Sequence, residues 1–498
     1  MQNKQLNYKR RQFLKQIIAT TALGAITSCC AYADNLEHLP DLGDSDRTNL
    51  SPFQADLLGR QVVLDIYSQG SMVDDYDCLD YLNNLGNNLV SFSSLAGQNF
   101  NFYLIKEHEI NAFALPGGYI CAYNGLIYHT LTEAELASVL AHEIGHVVQH
   151  HIFRNLSVQN RAQWTSLAGV LAGALLAPLN PAAAMLALNS GQGLAIQNSL
   201  AFSRDYEREA DRVGQQLLYQ TGFDAHAMPE FFQRLQDTYK FNQNDALAFL
   251  QTHPVTLERL SEAETRANQL PTKMRTDSIS FLLVREKCRQ RQLGNEDAIK
   301  FYLQALTTKR YVSIEAQYYG LAWSYFLAQK INDSLLYLNK ITGSEYLNHP
   351  IIIGLRANLL IAKRNFVLAN KLYDQALISY PNHKGLWMGQ LQFLLQSKNY
   401  GKMITRLSEL IAIIPSDPDV WDQYAIVYAD DKLNNPICYH YGLGNEFYLL
   451  ANYPLALTHY QAALTIKTKQ TSDRNIQDLI TSKINDVKRQ MALIKNLA

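Results

Sequence analysis

The 498-residue chain has almost no net charge: 44 Lys and Arg stand against 45 Asp and Glu, a formal balance of −1. That balance argues against a nucleic-acid partner held by bulk electrostatics. Cysteine is scarce, six in all. No pair has CxxC spacing, which argues against a thiolate zinc site or a thioredoxin-like redox pair. Long apolar runs are also missing. Residues 162–201 are almost uncharged, but Pro178-Leu179-Asn180-Pro181 splits them. Neither piece reaches the roughly 20 residues of a spanning helix. A pair of buried helices is the simpler expectation; a lid or a membrane-surface contact is the sharper one.

What is present suits a globular protein of two or three domains. Hydrophobic residues make up 47% and charged residues 18%. Most of the 29 tyrosines follow residue 270, which suggests an aromatic-rich helical array.

Residues 1–33 read as a signal peptide. Lys4, Lys9, Arg10, Arg11 and Lys15 precede an apolar stretch over 17–26, and Ala31-Tyr32-Ala33 offers a cleavage site. Arg10-Arg11 resembles a twin-arginine signal, although Lys9 stands where Ser or Thr is usual, so Sec export stays open. Ile26-Thr27-Ser28-Cys29 resembles a lipoprotein box and would leave a lipid on Cys29. Cleavage after Ala33 leaves Cys78, Cys121, Cys288 and Cys438, which permit three pairings. Buried free thiols are the simplest expectation for them.

A polar linker spans 34–51. Mixed α and β pattern fills 52–268: helices over 56–67, 76–90, 133–152 and 203–220, and strands over 100–106 and 119–123. Thr132 can cap the helix at 133, whose apolar face carries Leu136, Val139, Leu140, Ile144 and Val147. After residue 269 helical pattern continues to about 470. Pro381 and Pro415 are spaced like Trp387 and Trp421, one tetratricopeptide period apart. Ala369, Tyr373 and Ala376 share a spacing with Ala298, Tyr302 and Ala305, and with Ala456, Tyr460 and Ala463. Small residues let helices approach and aromatic ones fill the gaps. The expected product is a superhelix with a concave protein-binding face. Residues 471–498, mainly 475–496, would form the capping helix.

The chemistry centres on His142-Glu143-Ile144-Gly145-His146. Two histidines four apart on a helix project from one face and can share a metal. Glu143 points beside the metal, where a general base for water belongs. A third ligand is required, and Glu207 on the downstream helix can supply it. Asp211, on the same face, can accept a hydrogen bond from a ligand histidine and so joins Glu143 in the catalytic set. Glu209 lies about 200° around from Glu207 and should face solvent. His150 and His151 read as surface residues. His253, in Thr252-His253-Pro254 with Arg259 beyond, is a candidate fourth ligand in a closed, latent state. Arg204 and Tyr206 are weak candidates for oxyanion stabilisation.

The HExxH motif followed by Glu207 and Asp211 resembles the gluzincin family that includes HtpX and the CAAX prenyl proteases. The resemblance implies an α+β, mainly helical chain: a zincin-type metallopeptidase domain before an all-α tetratricopeptide-repeat superhelix. It implies one Zn2+ per chain. Asn111-Ala112-Phe113-Ala114 resembles the family's segment before the catalytic helix, which implies an edge strand that holds substrate. The layout of leader, peptidase and repeats resembles a periplasmic branch of the family. That implies protein or peptide substrates, with outer-membrane β-barrel proteins and their assembly machinery as partners. Two other readings stand beside it: a client-binding chaperone with latent or vestigial protease activity, and a metal-dependent amidase.

Overall fold

The computed structural model of the protein describes residues 51–152, 203–240, 246–430, 433–468 and 471–497. The expected signal peptide with Cys29, the linker up to residue 50, and the apolar stretch 162–201 lie outside the described residues. Among the described residues no helix is long and apolar enough to cross a membrane.

Ser51 opens the described chain. Its hydroxyl and the side chain of Gln54 form a capping box, so helix α1 (Pro52–Ser68) starts four residues before the position expected. Asp75 caps α2 (Tyr76–Val90). Three strands follow: β1 (Asn101–Ile105), β2 (Ala112–Leu115) and β3 (Tyr119–Tyr123). Their order is β1-β3-β2, with β1 parallel and β2 antiparallel to β3. The β2–β3 turn needs Gly117 and Gly118, both at φ +82°; a Cβ on Gly117 would lie 2.7 Å from the Asp56 Cα.

The two sheet edges differ. On β1, Phe102 N–H donates to Asn83 Oδ1 at 3.1 Å and its carbonyl accepts from Asn83 Nδ2 at 2.9 Å. The Leu104 carbonyl accepts from Val73 N–H at 2.8 Å. That edge is closed to further pairing. The outer edge of β2 meets no further strand among the described residues.

Helices α3 (Asn124–His129) and α4 (Glu133–Val148) pack on the sheet; α5 (Arg204–Gln220) and α6 (Ala227–Lys240) pack against α4, and α7 (Leu247–Thr252) and α8 (Leu257–Asn268) follow. Thr132 caps α4, as expected. The helix ends at Val148, however, not at 152. Gln149 and His150 donate back to the Gly145 and Val147 carbonyls, and His150 turns the chain at φ +54°.

From α9 (Ile279–Leu293) to Thr465 the chain forms successive helical hairpins, and a last helix runs Thr471–Leu497. The 34-residue period has a physical mark: the Trp387 indole donates to the Pro381 carbonyl at 2.6 Å, and the Trp421 indole to the Pro415 carbonyl at 2.8 Å. Tyr302, Tyr373 and Tyr460 are buried between helices, with Ala298, Ala369 and Ala456 at their sides.

One apolar core joins the two parts. It runs from Leu82, Ile120 and Leu140 through Phe281 to Tyr319 and Leu355. Glu133, at the start of α4, reinforces the junction. Its carboxylate accepts from the Tyr81 hydroxyl, the Ser278 hydroxyl and the Ser278 N–H, and its own N–H donates to Asp277. The four cysteines of the described region are buried and free.

Candidate metal centre

Helices α4 and α5 approach each other closely because each carries a glycine at the contact. A Cβ on Gly145 would lie 2.8 Å from the Ala210 carbonyl oxygen, and one on Gly214 would lie 2.8 Å from the His142 nitrogen. The glycines cost helix propensity, about 1 kcal/mol each against alanine. The contact returns a fixed spacing between the side chains on either flank.

That spacing brings four donors together. His142, His146, Glu207 and His253 are all buried, and their ligand atoms lie within 4.8 Å of one another. His142 Nε2 stands 3.0 Å from His146 Nε2, 3.3 Å from His253 Nδ1 and 3.4 Å from Glu207 Oε2. Glu207 Oε1 stands 3.0 Å from His253 Nδ1 and 3.4 Å from His146 Nε2. Four N and O donors at tetrahedral angles, each about 2.0–2.1 Å from one zinc ion, would sit about 3.3–3.4 Å apart. The donor set therefore fits such an ion.

Charge gives a second test of fit. Glu143, Glu207, Asp211 and Arg259 are all buried, so three carboxylates face one guanidinium. Burial of a net negative charge is costly unless a cation compensates it, and a divalent ion balances this one.

Asp211 Oδ1 lies 2.9 Å from His142 Nδ1, on the side away from the donor cluster. Glu143 is fully buried, and its Oε1 is 3.4 Å from His253 Nε2. Neither Glu143 oxygen makes a well-aligned hydrogen bond among the described residues. The Ala114 N–H, on the outer edge of β2, faces this carboxylate. Asn111 caps the strand: its Oδ1 accepts from the Ala112 N–H at 2.9 Å, and its carbonyl accepts from the Tyr123 N–H at 2.9 Å. Phe113 points to the other side, edge-on to Tyr123.

Residues 80–267 match the family model described as Peptidase family M48. A beta-barrel assembly-enhancing protease of Yersinia pestis is 30% identical over 413 residues, which cover 83% of this chain and 84% of that one. This chain belongs to peptidase family M48. The beta-barrel assembly-enhancing protease of Escherichia coli (strain K12) is 34% identical over 278 residues, 56% of either chain. Metalloprotease LoiP of the same organism is 29% identical over 184 residues, 37% of this chain and 67% of its own. Among solved structures, a tetratricopeptide repeat protein from Parabacteroides merdae aligns over 50% of this chain and 98% of its own, at 16% identity and a TM-score of 0.28.

In this metallopeptidase, Arg259 is the site residue whose role the sequence hid. It is buried, and its guanidinium grips Asp211 through two bonds of 2.8 Å and Glu207 Oε2 at 2.7 Å. It also donates to the Pro254 carbonyl at 2.9 Å, which fixes the loop carrying His253. Burial would raise the pKa of both carboxyls. Arg259, with His142, and with His253 for Glu207, reverses that and holds both below the usual carboxylate range.

Two expectations are corrected here. His151 is fully buried, not on the surface, because the break after Val148 turns it inward. Glu209 does not simply face solvent: it is half-buried, and its Oε2 lies 2.9 Å from His151 Nε2. Tyr206, proposed near an oxyanion, stacks on His151 at 4.6 Å, and Arg204 is exposed.

Gly145→Ala should force α4 and α5 apart. Overpacking of this kind costs about 1–3 kcal/mol, and the gain in helix propensity offsets only part of it. Denaturant unfolding should show a net loss of stability, and zinc titration a weaker site. Native stability with native affinity would contradict the close contact.

The pH dependence has a defined sign. Burial works to lower the His142 pKa, but Asp211 and Glu207 override it and push it up to about 10. In the metal-free chain that stabilisation is full below the ordinary 6.5 and is lost as pH rises through about 10. A metal must displace this proton. Zinc binding should release a proton and tighten about tenfold per pH unit between these values, as calorimetry in buffers of different ionisation enthalpy would show.

Proposed function

We propose that this metallopeptidase is an exported zinc endopeptidase that cleaves protein clients of the outer-membrane β-barrel assembly route, in the periplasm of a Gram-negative bacterium. The donor spacing of His142, His146 and Glu207, with the buried Glu143 carboxylate beside them, is the observation that carries the endopeptidase reading. The names of the relatives from Yersinia pestis and Escherichia coli support the route, and the leader pattern of residues 1–33 supports the compartment. Residues 52–268 would be the catalytic unit, 269–470 the client-holding repeats and 471–498 their cap.

One zinc ion per chain would be held by His142, His146 and Glu207; bound there, it supplies a Lewis acid that makes water acidic near neutral pH. The chain's own residues do the rest. A client segment would add to the outer edge of β2 at Asn111, Ala112, Phe113 and Ala114, through main-chain hydrogen bonds. Burial raises the Glu143 pKa, which suits a group that takes a proton from water and hands it to the leaving amine. Asp211, held by Arg259, would keep the His142 proton on Nδ1 and its Nε2 free for the ion.

His253 would be the fourth ligand of a closed, latent state. Its Nδ1 takes a ligand position and its Nε2 faces Glu143, so it occupies the space a client carbonyl needs. This observation also favours a second reading, a client-holding chaperone with proteolysis latent. A cavity of about 810 Å³ between α1, β1 and the repeats, lined by residues such as Tyr76, Tyr103, Asp419 and Tyr453, suits that reading.

Glu143→Gln should keep stoichiometric zinc and lose at least about 100-fold of casein cleavage, the usual weight of a general base. Zinc retained with undiminished cleavage would exclude Glu143 as the base. His253→Ala should raise basal cleavage above native; unchanged cleavage together with unchanged zinc coordination would sink the latent state.

A further inference from the structure

His142 and His146 present their outer ring nitrogens to different surroundings. His142 Nδ1 meets the Asp211 carboxylate directly. His146 Nδ1 meets another imidazole, His151 Nδ1, at 3.0 Å. His151 Nε2 then meets Glu209 Oε2 at 2.9 Å. His146 and His151 are both fully buried, and His151 lies flat on Tyr206, 4.6 Å away with 12° between the planes.

Proton placement in this row follows from the outer end. A carboxylate only accepts, so His151 Nε2 carries a proton and donates to Glu209. His151 Nδ1 then offers a lone pair. His146 Nδ1 must donate to it, since two lone pairs at 3.0 Å would repel. His146 Nε2 is left with its lone pair, and it points at His142 and Glu207. With both rings neutral, one pair of tautomers fits the contacts of this row.

We propose that His151 and Glu209 are positioning residues that fix the metal-binding tautomer and ring orientation of His146. The inference rests on the zinc-site reading above. Helix α5 would then supply three acidic residues with three tasks. Glu207 faces the ion, Asp211 orients His142, and Glu209 orients His146 through His151. The break in α4 after Val148 serves the same end, because a helix continued to 152 would carry His151 away from His146. Tyr206, one residue before Glu207 in sequence, stacks flat on the His151 ring.

Partners of this kind change metal affinity by about 10–100-fold when removed. The test measures zinc affinity by competition with a chromogenic chelator, and the visible spectrum of the cobalt-substituted full chain. His151→Phe keeps the ring that stacks on Tyr206 and removes both nitrogens. It should weaken zinc about 10–100-fold and alter the cobalt bands. Glu209→Ala should do the same. Glu209→Gln keeps an acceptor and should restore near-native affinity, a rescue that a loss of general packing would not give. The double variant His151→Phe with Glu209→Ala should be no weaker than His151→Phe alone. Glu143→Gln serves as the control that loses cleavage and keeps affinity.

Native affinity and native cobalt bands in His151→Phe would overturn the proposal. If that variant does not fold, native affinity in Glu209→Ala would overturn it equally. Additive losses in the double variant would also count against a single row. Failure of the native chain to bind zinc at all would instead overturn the zinc-site reading.

Discussion

The close contact of helices α4 and α5 is the constraint on which the site depends. Gly145 and Gly214 leave room for the Ala210 carbonyl and the His142 backbone, and nothing larger fits. Once the helices are that close, the histidines of one and the carboxylates of the other have little freedom. His142, His146 and Glu207 meet at about the separations of a tetrahedral ligand shell, and Asp211 falls behind His142. The energetic cost lies in two mid-helix glycines and several buried charges. Arg259 offsets part of the charge by bonding Glu207 and Asp211. A divalent ion would offset the remainder, so binding and local stability are coupled.

The surroundings give this centre a direction. Asn83 and Val73 close the outer edge of β1, whereas β2 offers its outer edge beside Glu143. An extended chain added to the sheet would therefore arrive at β2. On the other flank, the loop pinned by Arg259 brings His253 to the same place. Cleavage and latency would thus compete for one position. The repeats are fused to the peptidase part by a shared core and by Glu133 at the start of α4. A client held by the repeats would be held by a body rigidly joined to the catalytic helix.

Much of this was legible in the sequence, for reasons that can be named. His142, Glu143 and His146 follow one another at a helical spacing behind a capping Thr132, and Glu207 and Asp211 repeat that spacing. Local rules of this kind survive folding. The repeats were legible because Trp387 and Trp421 each need the same carbonyl partner six residues before them. Other features were not. The end of α4 carries no glycine or proline, because His150 itself takes the left-handed turn; periodicity ran on to 152 and left His151 on the surface. Glu209 looked exposed because its partner, His151, comes from the chain beyond the end of α4. Arg259 stood in the sequence only as the residue beyond Thr252-His253-Pro254; its partners, Glu207 and Asp211, come from another helix and appear only with tertiary packing.

The most direct test is zinc K-edge X-ray absorption on the full chain loaded with one equivalent of zinc. The account predicts a four-coordinate shell of nitrogen and oxygen at about 2.0–2.1 Å, with the multiple-scattering signature of imidazole. A shell containing sulfur, or a six-coordinate oxygen shell without imidazole, would contradict it.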